Sequence, residues 1–580
     1  MSKENAVPSQ LHPSVVSLSQ YSVPIPHDIQ DHLRCQYGHI IEVAAGSATT
    51  TVPLSHDDNA SIDKYDHFAQ ILHSMKSSPK VTICRVNLLQ ANTVDRVLDE
   101  INQYLEESSD DIESKKRKFL GESNMKIITE NVKFQARKHD IFHDVIEIQT
   151  LSLKSNIATT LSTHPGVPAS LCYGDGIFSH WPLRLNSNFP QHHKVIICDR
   201  FCGEAVLRGS NIFVRGVLVA DRNIECNDIV CVYSHVSRST DTSSITRGMT
   251  IDNYKGQCVF LGLGKAACTR AKMFNQSTGL AVIMLNNIMY SSKGQVGDNI
   301  NDDKIEKFTT KAGPLLPSMN GILSNKIMLQ NLPSILVAHT LNPQPKDVII
   351  DLCCAPGGKT SHAASLVNND AIIIAVDKSR KKMKSVKEFF QDMGASCITP
   401  IALDSTTCVI GVDENKNQRW MCVKDVLSMA TYSDDGLLDV KGFYPESFDK
   451  IILDPPCSAL GLRPKLAVDI RNVKELNKHA NYQRRFIRCA VSLLKPGGIL
   501  VYSTCTINAC ENEEMVRHIL DDYKNMKLLP IQIPIGLSGL KGCGLNDEER
   551  KKVRRFDPSD TDADTMGFFV AKFEKTVKIK

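Results

Sequence analysis

The sequence predicts an α/β protein whose C-terminal part is an open, mostly parallel sheet flanked by helices. From about residue 346 onward, short apolar stretches of strand length alternate with longer stretches in which apolar residues recur at helical spacing. This alternation is typical of βαβ units. Several of the apolar stretches end in an aspartate, a cysteine or a glycine turn. In open α/β sheets, ligands and reactive groups lie just outside the carboxyl ends of the strands.

Length and composition limit the classes of protein to consider. A chain of 580 residues is too long for one compact core, so two to four domains are expected. A net charge of +4 neither demands nor excludes a nucleic-acid partner. The 19 cysteines are odd in number and irregularly spaced, which favours a reducing compartment and no structural metal. No apolar run is long enough to span a membrane, so we expect no membrane association.

The N-terminal third is predicted to contain a tail followed by a mixed domain. Residues 1–55 are rich in Ser, Pro and His and show little periodicity, which indicates a mobile tail. Residues 56–193 are predicted to form an α+β region with loop insertions at about 106–118 and 150–190. Its expected elements are a helix over 63–75, a strand over 81–87 and a helix over 93–105.

Four basic residues in the first insertion bear on localisation. Lys115, Lys116, Arg117 and Lys118 could form a nuclear import signal or a solvated loop, and we favour the loop. The protein is therefore expected in the cytoplasm, with entry into the nucleus through this tetrad left open.

Residues 194–288 are predicted to form a small β-barrel. Short apolar runs such as KVIICD and DIVCVYS are broken by glycine and asparagine, which is typical of short strands joined by turns. Residues 289–345 are expected to connect this barrel to a catalytic domain over 346–576.

A cofactor pocket is predicted where the first strand of the C-terminal domain ends. The apolar run VIIDL is followed by a glycine turn into a helix, whose free N–H groups and close backbone suit a ligand. The turn lacks the G-x-G-x-x-G and G-x-x-x-x-G-K-[ST] patterns, which argues against NAD and nucleoside triphosphates. The candidate cofactor-binding residues of this turn are Cys353, Cys354, Ala355, Pro356, Gly357, Gly358 and Lys359.

Acids at the next strand ends extend the pocket. Asp377 ends the run AIIIAV, 20 residues after Gly357, where a carboxylate can accept hydrogen bonds from ribose hydroxyls. Asp404 ends the following strand and is either an adenine-binding acid or a helix N-cap. Asp454 and, more weakly, Lys382 are further candidates beside the cofactor. This layout suits S-adenosylmethionine.

Two strand ends each deliver a cysteine. The run FDKIIL leads into Asp454-Pro455-Pro456-Cys457, and GILVYS leads into Thr504-Cys505-Thr506. A thiolate can add to an electron-poor ring carbon, which is covalent catalysis. A free cysteine is most often a small buried residue, but two at strand ends can face one substrate from two sides. The residues alone do not decide which cysteine attacks.

Together these motifs resemble the Sun-type (NSUN) RNA cytosine-5 methyltransferases. The resemblance covers roughly residues 194–576 and rests on the segment from Gln330 to Thr360, on Asp454–Cys457 and on Tyr502–Thr506. Residues 202–209, CGEAVLRG, resemble a PUA domain, an RNA-binding barrel. Within the family a PUA domain ahead of the catalytic domain marks the sixth, tRNA-modifying member. Cys354, Pro455 and Ala459 depart from the usual residues, but none of these changes removes a reactive group.

The resemblance implies a fold and a mechanism. It implies a Rossmann-like S-adenosylmethionine methyltransferase domain with an inserted PUA barrel. Cys505 would attack carbon-6 of cytosine, and Cys457 would assist proton removal at carbon-5 and product release. Asp454 would bind the pyrimidine edge, and Lys359 the flipped base or a nearby phosphate.

It also implies the substrate. The target would be a tRNA cytosine in the acceptor stem near the 3′ CCA end, at position 72 in tRNA numbering, bound by a monomer. Candidate phosphate contacts of the barrel are Arg208, Lys265 and Arg270, although for any one of them a solvated charge is the favoured interpretation.

Two other interpretations stay open on the sequence. A DNA cytosine-5 methyltransferase also uses a Pro-Cys motif but needs neither the second cysteine nor an RNA-binding barrel. A non-catalytic RNA-binding or assembly factor could retain the fold, but both cysteines, Lys359 and three strand-end acids argue against this.

Overall fold

The structure, a computed structural model, contains three sheets. It describes residues 15–16, 23–38, 67–91, 93–120, 133–151, 194–236, 245–254, 256–287, 319, 322–411 and 421–577. Among these residues no helix is long and apolar enough to cross a membrane.

An antiparallel four-stranded sheet forms the N-terminal region. Its strands are β2 (Thr82–Val86), β3 (Lys133–Lys138), β4 (Val145–Leu151) and β11 (Ile327–Leu329), in the order β11-β2-β4-β3. Helix α3 (Val94–Leu120) covers the sheet, because Val97, Ile101 and Leu105 recur at helical spacing and pack against Ile146 and Ile148. Two further helices precede the sheet: α1 (His27–Gly38) and α2 (His67–Ser74).

A second sheet has seven strands, six of which come from residues 194–287. The order is β6-β10-β9-β8-β5-β7, with β1 paired in parallel to β9. Helices α4 (Arg200–Leu207) and α5 (Arg270–Asn275) belong to the same segment. The strands are β1 (Val15–Val16), β5 (Lys194–Cys198), β6 (Ile212–Phe213), β7 (Val217–Ala220), β8 (Ile229–His235), β9 (Cys258–Ala266) and β10 (Leu280–Asn287).

The C-terminal sheet has the Rossmann-like arrangement. Five central strands run in parallel in the order β14-β13-β12-β17-β18, and antiparallel strands extend the second edge as β21 and β19. The central strands are β12 (Val348–Asp351), β13 (Ile372–Asp377), β14 (Ile398–Ala402), β17 (Phe448–Leu453) and β18 (Leu494–Thr504). The outer strands are β15 (Thr431–Tyr432), β16 (Leu438–Asp439), β19 (Met526–Leu529), β20 (Arg554–Phe556) and β21 (Phe568–Lys575).

Helices cover both faces of this sheet. Helices α6 (Leu332–Leu341), α7 (Gly358–Leu366) and α8 (Arg380–Asp392) contribute to one core, and α9 (Val423–Met429), α10 (Val473–Leu493) and α11 (Glu513–Asp522) to the other. A short helix, α12 (Asp547–Lys552), precedes β20. The sequence of a strand such as β13 is almost continuously apolar, which suits a strand that is buried on both faces of the sheet.

Three boundaries predicted from sequence are corrected. The tail predicted over residues 1–55 contains α1, whose Ile29, Leu33 and Tyr37 are fully buried, and β1. The first insertion, for which a solvated loop was favoured, continues α3 to Leu120, so Lys115–Lys118 is helical. The connecting segment is divided, because β11 joins the N-terminal sheet and α6 packs in the catalytic core. Most of the insertion at 150–190 lies outside the described residues.

A buried carboxylate holds the N-terminal sheet against the catalytic domain. Asp144, just before β4, accepts hydrogen bonds from His339 of α6 at 2.9 Å and from His362 of α7 at 2.8 Å. The carboxylate and imidazole atoms of Asp144, His339 and His362 lie within 4.8 Å of one another, and these are atoms that bind metal ions in proteins. However, the positive charge of Arg85 lowers the pKa of His362 and disfavours a cation here. Burial, which outweighs the attraction of Asp144, lowers the pKa of His362 to about 3.

The buried histidine predicts a loss of stability in mild acid. Below the ordinary pKa of 6.5, the unfolded chain binds a proton at His362 that the folded chain excludes. The free energy of unfolding should therefore fall by about 2 kcal/mol between pH 7 and pH 5 on account of this group. Urea unfolding at both pH values checks this. His362→Gln should remove most of that pH dependence, whereas His479→Gln, at a partly exposed position on α10, should keep it; equal slopes in both variants would contradict the assignment.

Candidate active site

The carboxyl ends of the five parallel strands meet at one edge of the C-terminal sheet and collect the predicted site. Asp351 ends β12 and Asp377 ends β13, while Asp404 follows β14 by two residues. Asp454 follows β17 directly, and Cys505 follows β18 directly. Parallel pairing brings these ends together because every central strand points the same way.

The two cysteines predicted from sequence are in contact. The Sγ atoms of Cys457 and Cys505 lie 3.3 Å apart, and both side chains are half-buried. The hydrogen bond to Cys505, together with burial and the negative charges of Cys505, Glu511 and Asp454, raises the pKa of Cys457 well above its ordinary value. Two thiolates this close repel each other, so Cys457 is held as a thiol beside Cys505.

An ion pair lies beside the cysteines. Lys359, at the start of α7, donates to Asp454 Oδ2 at 2.6 Å, and Ser503 of β18 donates to Asp454 Oδ1 at 2.9 Å. The ammonium lies 5.5 Å from the centre of the Phe568 ring. Burial acts to lower the pKa of Lys359. The nearby groups Asp454, Cys505 and Asp351 outweigh burial, with Asp454 having the largest effect, so the pKa of Lys359 lies above its ordinary value. A cation is thereby kept close to both the carboxylate and the cysteine pair.

A fully buried glutamate ties the two cysteine loops to each other. Glu511 accepts hydrogen bonds from the backbone N–H of Ser458 at 2.9 Å, from Gln483 at 2.9 Å and from Asn508 at 3.0 Å. Ser458 follows Cys457, and its hydroxyl lies 2.6 Å from that of Thr506, which follows Cys505. The position of Cys457 relative to Cys505 therefore depends on this polar network.

Helix α1 packs against the same network. Gln36 of α1 donates to Asn508 Oδ1 at 3.1 Å and accepts from the backbone N–H of Ala509 at 3.0 Å. The hydroxyl of Tyr37 donates to the carbonyl of Ile507 at 3.1 Å and accepts from Arg555 at 2.7 Å. A segment near the N-terminus thus supports the chain that follows Cys505.

The glycine turn after β12 is closed by its own side chains. Asp351 accepts from the hydroxyl of Thr360 at 2.7 Å and from the backbone N–H of Cys353 at 3.2 Å, and burial raises its pKa to about 6. Gly357 has a φ of 107°, and a Cβ there would lie 2.8 Å from the ring of Phe390. Only glycine fits this turn, which leaves the start of α7 open to a ligand.

Four carboxylates surround this turn. Burial raises the pKa of the Cys353 thiol well above its ordinary value. The negative charges of four carboxylates raise this pKa further: Asp351, Asp454, Asp377 and Asp404. Asp377 accepts from the backbone N–H of Ser379 at 2.8 Å, and Asp404 from Thr406 and from Lys378 at 2.9 Å. Such a concentration of negative charge fits a cationic ligand with hydroxyl and amino donors, and S-adenosylmethionine carries a positive sulfonium, a ribose and an adenine amino group.

Some predicted residues lie outside this cluster. The side chain of Lys382 is exposed on α8, and its backbone N–H donates to the N-cap Ser379. Arg208, at the C-terminal end of α4, is exposed, and Lys265 on β9 is half-buried. Arg270 donates to the carbonyls of Ala220 and Gly248 and stacks on a phenylalanine, so its guanidinium is engaged within the fold.

Other residues of the site were not predicted from sequence. Asp351 has the same position at a strand end as the predicted acids, so the run VIID could have indicated it. The polar network of Glu511, Gln483 and Asn508 gives no local signal, because its members come from separate elements. The contact of α1 joins residues more than 470 positions apart.

Acids at successive strand ends and a pair of touching cysteines correspond to one class of protein, the methyltransferases that modify carbon-5 of a pyrimidine. Residues 338–574 match the family model described as 16S rRNA methyltransferase RsmB/F. The rRNA (cytosine-C(5))-methyltransferase NOP2C of Arabidopsis thaliana is 30% identical over 88% of this chain and 88% of its own length. The tRNA (cytosine(72)-C(5))-methyltransferase NSUN6 of Mus musculus is 34% identical over 68% of this chain and 77% of its own length.

A solved structure shares the fold. The crystal structure of NSun6 from Pyrococcus horikoshii with SFG superposes with a TM-score of 0.56, at 23% identity, over 95% of this chain and 99% of that one. The chain belongs to the Sun-type, RsmB/F family of RNA cytosine-C5 methyltransferases. The cofactor of this family is S-adenosylmethionine, which the carboxylates of the pocket fit.

The buried glutamate gives a prediction for the stability of the site. In Glu511→Gln, one end of the side chain becomes a donor that faces the donors now bound by the carboxylate. The free energy of unfolding should fall by about 1–3 kcal/mol, the cost of leaving buried polar groups unpaired. Urea unfolding at pH 7 measures this. Glu388→Gln, at an exposed position of α8, is the matched control. A loss of stability of similar size in the control would show that the buried network contributes no more than an exposed glutamate.

Proposed function

We propose that the protein transfers a methyl group from S-adenosylmethionine to carbon-5 of a cytosine in RNA through a covalent intermediate with Cys505. The observation that carries this proposal is the 3.3 Å contact between Cys457 and Cys505, in which Cys457 is held as a thiol. When bound, S-adenosylmethionine supplies an electrophilic methyl group. The other steps belong to residues of the chain.

In the first half of the reaction, the Cys505 thiolate adds to carbon-6 of the cytosine. A sulfur–carbon bond forms, and the electron pair of the 5,6 double bond becomes available at carbon-5, which takes the methyl group. Lys359 and Asp454, paired at 2.6 Å, lie at the pyrimidine edge and balance the charge that develops there. This assignment agrees with the attack that the family resemblance gives to the Ser-Thr-Cys motif.

In the second half, the charge on Cys457 changes because Cys505 has been consumed. The largest cause that keeps Cys457 protonated is its contact with Cys505. Once Cys505 is a neutral thioether, that cause is gone, and the pKa of Cys457 falls, while burial, Glu511 and Asp454 still raise it. Cys457 then releases its proton to solvent and takes the proton from carbon-5; the double bond re-forms, and the bond between carbon-6 and Cys505 breaks. The cycle ends with Cys457 again a thiol and Cys505 again free of the base.

The RNA target is proposed from relatives. Relatives named tRNA (cytosine(72)-C(5))-methyltransferase, at 34% and 31% identity, support a cytosine in the tRNA acceptor stem near the 3′ CCA end. The seven-stranded sheet over residues 194–287, with its two helices, would then serve as the PUA-type domain that binds the RNA end. The relative named rRNA (cytosine-C(5))-methyltransferase covers more of both chains and supports ribosomal RNA as a second candidate.

The target class can be decided by one experiment. Bisulfite sequencing of total RNA incubated with the purified protein and S-adenosylmethionine should show a new 5-methylcytosine at the tRNA acceptor stem. A new site only in ribosomal RNA would select the second candidate, and no new site in any RNA would overturn the proposed activity.

The protein is proposed to act as a cytoplasmic monomer.

Separate variants of the two cysteines should fail in opposite ways. Cys505→Ala cannot form the bond to carbon-6, so it should be inactive and form no adduct. Cys457→Ala should attack and methylate but stall before elimination, because it lacks the group that takes the carbon-5 proton. Denaturing electrophoresis with labelled RNA should show a retained protein–RNA band in this variant alone. Cys510→Ala, near the same loop, is the control; trapping by Cys505→Ala instead would reverse the two roles.

A third variant tests the cofactor pocket. Asp377→Ala should weaken binding of S-adenosylmethionine by about 1–3 kcal/mol, because the ribose hydroxyls lose a half-buried acceptor. Isothermal titration calorimetry measures the change. Asp392→Ala, on the same helix–strand unit but at the far end of α8, should bind like the wild type; unchanged affinity in Asp377→Ala would remove this residue from the site.

A further inference from the structure

Helix α10 presents a row of exposed cations. Lys474, Lys478, Arg485 and Arg488 are spaced by 4, 7 and 3 residues, which places them on one face of the helix. All four are exposed, whereas the opposite face, with Leu476, Gln483 and Ile487, is fully buried. We call these four residues the basic stripe.

None of the four side chains forms an ion pair in the part of the chain that the structure describes. The only acid of α10, Glu475, accepts from the backbone N–H of Arg471 at 2.9 Å, just before the helix. By comparison, the exposed Arg380 of α8 pairs with Asp435 and Asp439, and the half-buried Arg517 of α11 pairs with Glu549. Like charges at i and i+4, such as Lys474 and Lys478, repel each other, and an anion that lies along the row relieves this repulsion.

The placement of the stripe points to the anion. Just before α10, the seven-stranded sheet docks on the catalytic domain, where Arg200 of α4 contacts Asp469 at 2.6 Å and the carbonyl of Ala467 at 3.0 Å. At the other side, Arg485 donates to the hydroxyl of Thr406 at 3.1 Å, two residues from Asp404. From Lys474 to Arg485 the helix rises about 17 Å.

We propose that the basic stripe binds the phosphate backbone of the substrate RNA beside the target cytosine, between the seven-stranded sheet and the cofactor pocket. This proposal rests on the proposed function, and it adds a surface that the cysteine chemistry does not require. Along the helix, the cations are separated by about 6 Å, 10 Å and 4.5 Å, and such a row matches a polyanion without reading its bases. The stripe therefore contributes affinity and orientation, whereas the choice of cytosine is made elsewhere.

The experiment compares two double variants of the full chain. Lys474→Gln/Lys478→Gln removes two charges from the stripe. Lys524→Gln/Lys527→Gln removes the same number of exposed charges next to the start of β19, away from the carboxyl ends of the parallel strands. RNA binding by wild type and both variants is measured by fluorescence anisotropy over a range of salt concentrations. Methylation kinetics and melting temperature are recorded on the same preparations.

The stripe variant should lose RNA affinity by roughly tenfold, and the slope of log affinity against log salt should fall by about 1 for each lysine removed. The KM for RNA should rise while kcat and the affinity for S-adenosylmethionine stay unchanged. Lys474→Arg/Lys478→Arg should restore the wild-type slope. A slope in the stripe variant equal to that of the wild type, or an equal loss in the Lys524/Lys527 control, would overturn the proposal.

Failure of the proposed function would look different. If wild-type protein formed no 5-methylcytosine in any RNA, the activity would be wrong, and the salt dependence of binding would still report on the stripe. If wild type methylated RNA and the stripe variant did so with the same KM and salt slope, only the stripe would be wrong.

Discussion

Strands β17 and β18 are paired in parallel with Leu453 opposite Tyr502, and this pairing brings the two cysteine loops together. The strands end in the same direction, so the chains that leave them start side by side. Cys457 follows its strand by four residues and Cys505 by one, so the loops must bend back to bring the sulfurs to 3.3 Å. The buried Glu511 carboxylate holds this bend by accepting from both sides of the pair. Without that network, the adjacent strand ends alone would not bring the two sulfurs into contact.

Negative charge is the second organising feature of the site. Four carboxylates surround the turn after β12, and the ammonium of Lys359 lies beside them, paired with Asp454. Burial, followed by these negative charges, raises the pKa of Cys353, and the contact with Cys505, followed by burial, raises the pKa of Cys457. The concentration of negative charge favours a cofactor that carries a positive charge of its own. Two thiols in contact do not both ionise readily, because one thiolate opposes the formation of the other.

Parts of the chain far from the catalytic domain in sequence complete it in space. Helix α1 supports the segment after Cys505 through Gln36 and Tyr37. Asp144 joins the N-terminal sheet to α6 and α7, and α7 carries Lys359. In addition, Arg85 of β2 donates to Ser361 of the same helix at 2.9 Å. The position of Lys359 therefore depends on contacts made by the N-terminal region.

The sequence by itself determined the parallel α/β sheet, the glycine turn, the acids Asp377, Asp404 and Asp454, and the two cysteines. These features are local: apolar runs with a polar end are visible within ten residues, and strand ends meet at one edge for any parallel sheet. Only the tertiary structure decided that Glu511 joins the cysteine loops and that α1 belongs to the folded core. Such contacts combine residues from distant elements, and a polar residue such as Gln36 has the same local signature on a surface as in a buried network. Its role is set by which donors and acceptors the fold brings within 3 Å, and a linear sequence does not encode that in any single segment.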